Sequence, residues 1–383
     1  MNVRFALPAL TVGTLALSGC VANGAAAEDA VSVSSTADGC SLSATTAPSG
    51  SIVFDVTNDG DDVTEFYLLA DDGLRIITEV ENVGPGLSRE LVAQVPAGDY
   101  ITSCKPGMVG DGIQAAFTVT DSGAEVGPTG EIGDQLQAAA DQYLLYVRDQ
   151  VATLDQKTTA FLDAYTAGDD DAARQMYADT RVHWERIEPV AEAFGDLDPS
   201  MDLREADLAD GEAWTGWHNI EKNLWPPADG YELTDAERQA LADKLSIDTA
   251  DLVSRVNADD FSIDAFQIGN GAKSLLDEVA SGKITGEEEI WSHTDLWDFQ
   301  ANIDGASVAF GVLRPVVEQT DPDLVAELDA RFDAVQTLLT AQGSVEDGFT
   351  YYDDLTEDQV QELSRAVDAL GEPLSQLTAA AVL

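Results

Sequence analysis

Positive charge is what this chain has least of. Its 383 residues carry 19 Lys and Arg against 71 Asp and Glu, a formal net charge of -52. Such a chain repels nucleic acid and anionic lipid headgroups, which removes both from the list of charge-driven partners. The acids are spread along the whole length, which reads as adaptation to salt or as solubility. Histidine is scarce, with three residues, His183, His218 and His293, and residues 30–121 contain none. A blue-copper site needs two histidines, so electron transfer of that kind is excluded there. No His-Glu-x-x-His and no Gly-x-Ser-x-Gly occurs, so neither a zinc peptidase nor a serine hydrolase has a motif to rest on. Apolar content is ordinary at 44%, enough for a packed core.

The apolar run from Phe5 to Leu17 is too short to span a bilayer and has the form of a signal h-region behind Arg4. It closes on Leu17-Ser18-Gly19-Cys20, which matches the lipobox of bacterial lipoproteins. Residues 1–20 are therefore expected to be a lipoprotein signal peptide with Cys20 acylated, and residues 21–29 a tether. The expected location is extracytoplasmic, anchored to the cell membrane through lipid on Cys20.

From residue 30 to 121 the pattern has period two, cut by turn signals such as Asn58-Asp59-Gly60 and Pro96-Ala97-Gly98. Seven or eight short strands predict a β-sandwich. Residues 122–131 form a Gly/Pro linker, and from 132 to 383 the periodicity is helical. One long helix should stop near Gly168, with others at about 203–224, 234–256, 262–281, 286–318, 321–341 and 356–379. Thr234/Glu237 and Thr356/Gln359 have capping-box spacing. The fold class is α+β multidomain, a sandwich followed by an all-α bundle.

The helical part holds the acids of chemical interest. Glu185, Glu188 and Glu192 recur at i, i+3 and i+7, on one face of a helix, where like charges repel. Either Arg186 or a bound cation should compensate them. Pro189 should kink that helix, and Asp198 should cap a new one beginning at Pro199, with Asp202 in its first turn. His218 and Glu221 have the spacing that places an imidazole and a carboxylate on one helical face. Gly286-Glu287-Glu288-Glu289 precedes Trp291, His293 and Asp295, although Thr285 and Glu288 also fit a capping box. Each cluster alone is explained by structure. Together they suggest an acidic helical cavity suited to a hard cation such as iron(III). In the first domain, Cys40 and Cys104 form either a structural disulfide or, with Glu65 and Met108 nearby, a thiolate and carboxylate metal site.

Four phrases carry a resemblance that covers essentially everything after the leader: HWERIEPVAEAFGDLDPSMD, WTGWHNIEKNLW, ITGEEE with SHTDLWDFQANIDGA, and DGFTYYDDLT. They resemble the EfeO family of EfeUOB-type bacterial iron-uptake systems, in which a cupredoxin-like domain precedes an imelysin-like helical domain. The resemblance implies a non-enzymatic iron binder (Fe3+ or Fe2+) that delivers its ion to a membrane permease and works beside a haem-type peroxidase. It places metal-binding carboxylates at Glu185, Glu188, Asp202 and Glu288, with Glu289 close behind, and the Gly-x-His-x-x-Glu motif at Gly216, His218 and Glu221. It also maps two cysteine ligands and a glutamate onto Cys40, Cys104 and Glu65, where copper or zinc would bind. The bend expected at Pro189 lies between Glu192 and the helical carboxylate set, which puts Glu192 in second rank, and His183 reads as a neighbour rather than a ligand. The alternatives are an imelysin-type peptidase and an adhesion lipoprotein with incidental cation binding.

Overall fold

The computed structural model describes residues 30–382, except for 72, 74–75, 109–111, 124–125, 128, 209–210, 212, 260 and 282. The expected signal peptide, its acylated Cys20 and the tether lie outside the described residues. Alternating small polar and β-branched residues make nine strands in the first ninety or so described positions. They are β1 (Val31–Thr36), β2 (Gly39–Leu42), β3 (Thr46–Pro48), β4 (Gly50–Asn58), β5 (Thr64–Leu69), β6 (Ile76–Val83), β7 (Ser88–Val95), β8 (Gly98–Pro106) and β9 (Ile113–Thr120). One sheet has the order β2-β1-β4-β7 and the other β3-β9-β8-β5-β6, with parallel pairs only at β1/β4 and β3/β9. Phe54 from the first sheet packs between Phe66 and Phe117 of the second, with ring centroids 5.2 and 5.5 Å away. That contact is the centre of a closed apolar core between the sheets.

Among the described residues ten helices follow: α1 (Gly130–Thr166), α2 (Asp170–Glu185), α3 (Leu197–Asp202), α4 (Trp217–Leu224), α5 (Asp235–Val256), α6 (Ala265–Ser281), α7 (Asp295–Thr320), α8 (Pro322–Thr340), α9 (Glu357–Leu374) and α10 (Leu377–Val382). Short 3-10 turns lie at Glu188–Phe194, Glu205–Asp207, Lys283–Thr285 and Tyr352–Asp354. Both capping boxes form, starting α5 and α9. A hairpin of two-residue strands at 343–344 and 348–349 interrupts the helical region, where the helical periodicity predicts no strand.

Three local expectations are corrected. The acidic helix stops at Glu185 rather than continuing through Glu192, because Pro189 opens a 3-10 turn whose Val190 has a non-helical backbone (φ -130°). Two glycines let neighbouring helices close on this break. A Cβ on Gly271 of α6 would stand 1.6 Å from the Pro189 carbonyl oxygen, and one on Gly305 of α7 would stand 2.5 Å from that of Arg186. Next, α3 starts at Leu197 with no side-chain cap, so Asp198 lies in its first turn and Asp202 is its last residue. Finally, the expected helices at 203–224 and 286–318 begin late, at Trp217 and Asp295, leaving 286–294 as a turn-rich loop. A capping box at Thr285/Glu288 is therefore absent.

The sandwich rests on α6 and the last helix. Asn270 Nδ2 donates to Thr78 Oγ1 and to the Val92 carbonyl, both at 2.9 Å. Gln267 Nε2 donates to the Ile77 carbonyl at 3.3 Å, and Gln94 Nε2 to that of Val382 at 3.3 Å.

Candidate metal centre

Four pieces of chain bring the acids together: the end of α2 (Glu185) with the 3-10 turn after it (Glu188), the end of α3 (Asp202), α4 (His218, Glu221), and the 286–294 loop (Glu288, Glu289). Gly216 makes the junction of α3 with α4. Its φ is +86°, and a Cβ there would lie 2.1 Å from the Met201 carbonyl oxygen, so only glycine permits the approach. That approach sets the last carboxylate of α3 against the first turn of α4. His218 Nε2 is 3.4 Å from Asp202 Oδ1 and 3.5 Å from Glu288 Oε1, while its Nδ1 is 3.4 Å from Glu221 Oε2. Among the described residues, two sets offer ligand atoms within 4.8 Å of one another: Asp202, His218 and Glu288, and His218, Glu221 and Glu289.

Neighbours fix these groups. Glu221 Oε1 accepts the backbone N–H of Trp291 (3.0 Å) and Ser292 (2.7 Å), which ties α4 to the loop. Trp184 Nε1 donates to Asp202 Oδ2 at 2.8 Å. Asn302 Nδ2 donates to Glu185 Oε2 (2.9 Å) and Glu188 Oε2 (2.7 Å). Ser292 Oγ and Tyr177 Oη donate to the two oxygens of Glu289, at 3.0 and 3.2 Å. Outside the cluster, the Lys222 ammonium stands 4.8–5.6 Å from the ring centroids of Tyr231, Trp291 and Trp214, holding the chain before α4 against that same loop.

Two buried cations compensate the acids, and Arg186 is neither of them; it pairs with Asp304 at 2.9 Å outside the cluster. Arg181, completely buried, hydrogen-bonds to Glu185 and Asp202, lies 3.3 Å from Glu288, and sets its Nε 2.6 Å from Glu289 and 3.6 Å from Asp298. The Nε contact with Glu289 is an ion pair off the N–H axis, so it leaves that N–H without a hydrogen bond. Lys283 donates to Glu185 Oε2 at 2.8 Å and to both oxygens of Glu188 at 2.7 and 2.8 Å. At the rim, Arg204 approaches Glu288 at 3.5 Å. Among the described residues, seven carboxyl groups (Glu185, Glu188, Asp202, Glu221, Glu288, Glu289, Asp298) thus share at most four positive charges, counting an imidazolium at His218.

The surplus shows in the protonation. Burial pushes Glu188 well above the carboxylate range, aided by Glu185 and opposed by Lys283. Burial raises Glu289, with Glu221 adding to it, and raises Asp298 against the pull of Arg181. Burial also acts against ionised Asp202 and Glu288, but Arg181 at the first and Lys283 at the second, with His218 at both, hold them well below the usual range. Burial and Arg181 pull His218 down, yet Asp202, Glu221 and Glu288 outweigh them and keep it well above its ordinary value. Among the described residues neither Asp298 oxygen has a hydrogen-bond partner, nor has His218 Nε2, which lies between Asp202 and Glu288. A small cation fits these orphaned atoms and the oxygen-rich donor set, replacing protons as it enters.

A cleft of about 580 Å³ between sandwich and helices reaches Asp202, Glu188 and Glu288. The sandwich lines it with Glu65, Glu79 and Glu81. Glu79 meets Glu192 there in a carboxyl–carboxyl hydrogen bond, with both groups raised by burial. Glu192 thus serves the domain contact, not the cluster. His183 is also apart: Nδ1 pairs with Gln150 Oε1 at 2.8 Å, and burial lowers it to about 4.

Cys40 and Cys104 are joined as a disulfide, with Cα atoms 5.5 Å apart. Register places Cys104 opposite Phe66, in the sandwich core, and Glu65 opposite Lys105 on the other face. Glu65 accepts from Tyr67 Oη at 2.5 Å and faces the cleft. The two sulfurs and Glu65 are therefore not gathered around one point. Reading by residue pattern missed Arg181, Lys283, Asp298 and Asn302. The i, i+4 pairing of Arg181 with Glu185 was the one local signal available.

A helical domain with this buried His-x-x-Glu centre is of the imelysin type, and the family model for imelysin matches residues 139–377. The chain is 36% identical over 382 residues to the iron uptake system component EfeO of Escherichia coli O6:K15:H31, covering 98% of both. It is 37% identical over 341 residues to the protein of the same name from Yersinia pestis, covering 88% of this chain and 87% of that one. The chain belongs to the imelysin family and, within it, to the iron uptake system components named EfeO.

Proposed function

We propose that this protein is a non-enzymatic iron carrier of an iron-uptake system, with its cargo ion bound by Asp202, His218 and Glu288 and the acids around them. The observation that carries the reading is the convergence of His218 Nε2, without a hydrogen bond, on Asp202 and Glu288 inside a cluster with surplus carboxylates. Glu185, Glu188 and Glu221 complete the oxygen-rich surroundings that a hard ion favours. Its relatives bear the name of iron uptake components. Delivery to a membrane permease, a haem-type peroxidase partner and an extracytoplasmic position held by lipid on Cys20 belong to the same proposal. No described helix is long and apolar enough to cross a membrane. A hydrolase gains nothing from the geometry, since among the described residues no hydroxyl or thiol hydrogen-bonds to His218. Titration of iron into the mature protein and into a Glu185→Gln/Glu188→Gln variant tests the reading. Weakened binding in the variant is expected; equal stoichiometry and affinity would remove these acids from the site.

A further inference from the structure

The two buried cations of the cluster are not equivalent. Arg181 spreads its planar fork over Glu185, Asp202, Glu288 and Glu289 from one turn before the end of α2, with no exposed surface. Such a fork holds its carboxylates in one geometry and behaves as framework. Lys283 instead sits in the three-residue turn after α6 and reaches in with a flexible stem and one compact ammonium. Every oxygen of Glu188 and one oxygen of Glu185 is spent on that ammonium, and Glu288 is 3.9 Å from it. Lys283 competes for both oxygens of Glu188 with any ion that takes that residue. Two features prepare for its departure. Asn302 Nδ2 holds Glu185 Oε2 and Glu188 Oε2 without charge, so these oxygens keep their places when the ammonium leaves. Glu278, in the last turn of α6 and at the wall of the cleft, is a further carboxylate that attracts Lys283.

We propose that Lys283 is an internal competitor of the cargo ion, occupying Glu185 and Glu188 in the empty protein and swinging toward Glu278 and the cleft when iron enters. The proposal rests on the iron-binding reading and adds a regulation to it. A resident ammonium weakens binding by the attraction that must be broken, and its return helps eject the ion at delivery. It also favours ions of high charge, since a singly charged ion gains nothing by replacing an ammonium.

The test uses the mature chain and ferric ion supplied as its nitrilotriacetate complex. Lys283→Met should bind iron at least tenfold more tightly than wild type and lose it more slowly to an added chelator. A second measurement needs no substitution: amine acetylation followed by peptide mass analysis. Lys283 should resist acetylation in the empty protein and become at least tenfold more reactive after loading. A folded Lys283→Met with equal or weaker affinity, or a Lys283 that stays protected in the loaded wild type, overturns displacement while leaving iron binding intact. If Lys283→Met does not fold, the acetylation result decides. Wild type that takes up no iron overturns both readings together.

Discussion

Asp202 Oδ1 and His218 Nε2 stand 3.4 Å apart, on the last residue of one helix and in the first turn of the next. Gly216 between them has no substitute. Gly216→Ala must abandon φ +86° or drive a Cβ into the Met201 carbonyl, at a cost of about 3 kcal/mol or more. Thermal unfolding should show that loss, and iron affinity should fall with it although no ligand has changed.

The metal-free protein should become less stable as pH rises through neutrality. Burial pushes Asp295 and Glu278 up to about 7 from 3.8 and 4.5. Their contribution is complete below the unfolded values and is lost as pH climbs through about 7. His183, lowered from 6.5 to about 4, works oppositely: its contribution is complete above 6.5 and is lost as pH falls through about 4. Between about pH 6.5 and about pH 8 the acids decide, so the melting temperature should fall by roughly 1–2 °C per kcal/mol lost. Iron should reduce that slope, because the ion takes over from protons. A metal-free melting temperature that rises across this window would contradict the protonation described.

At the domain contact, Glu79 and Glu192 share a hydrogen bond that requires a proton. Glu192→Gln supplies the donor at every pH. Expected is a gain of about 1 kcal/mol near pH 8 and little change near pH 5, read from denaturant unfolding at the two pH values.

Removing the disulfide should injure the sandwich and spare the iron site. Cys40→Ala/Cys104→Ala opens a link of sequence separation 64, worth roughly 2–4 kcal/mol. Thermal unfolding should register the cost, while iron stoichiometry should hold, since Cys104 lies in the sandwich core away from the helical acids.

The architecture was legible because its signals are periodic: alternation for β1–β9, capping boxes for α5 and α9, and a long amphipathic stretch for α1. The six acids and histidine named for the helical centre also come together in space, but only partly for reasons visible in the chain. His218 and Glu221 share a helix turn. Asp202 reaches them through a close backbone approach at Gly216, and Glu288 arrives on a loop that looked like a helix start. Glu192 matched the spacing of Glu185 and Glu188 but lies beyond the break at Pro189 and turns to the sandwich. Lys283 carries no local signal, being 98 residues from Glu185, and a buried ammonium among acids emerges only from the packing of α6 against the 3-10 turn that follows α2.

The central claim concerns one point in space, and crystallographic anomalous scattering at the iron absorption edge examines it most directly. Iron-loaded protein should give its strongest anomalous peak bounded by Asp202, His218 and Glu288, within ligand distance of each, and the peak should vanish in Asp202→Asn/Glu288→Gln. A strongest peak on the sandwich side of the cleft, or one that survives in that variant, would contradict the account.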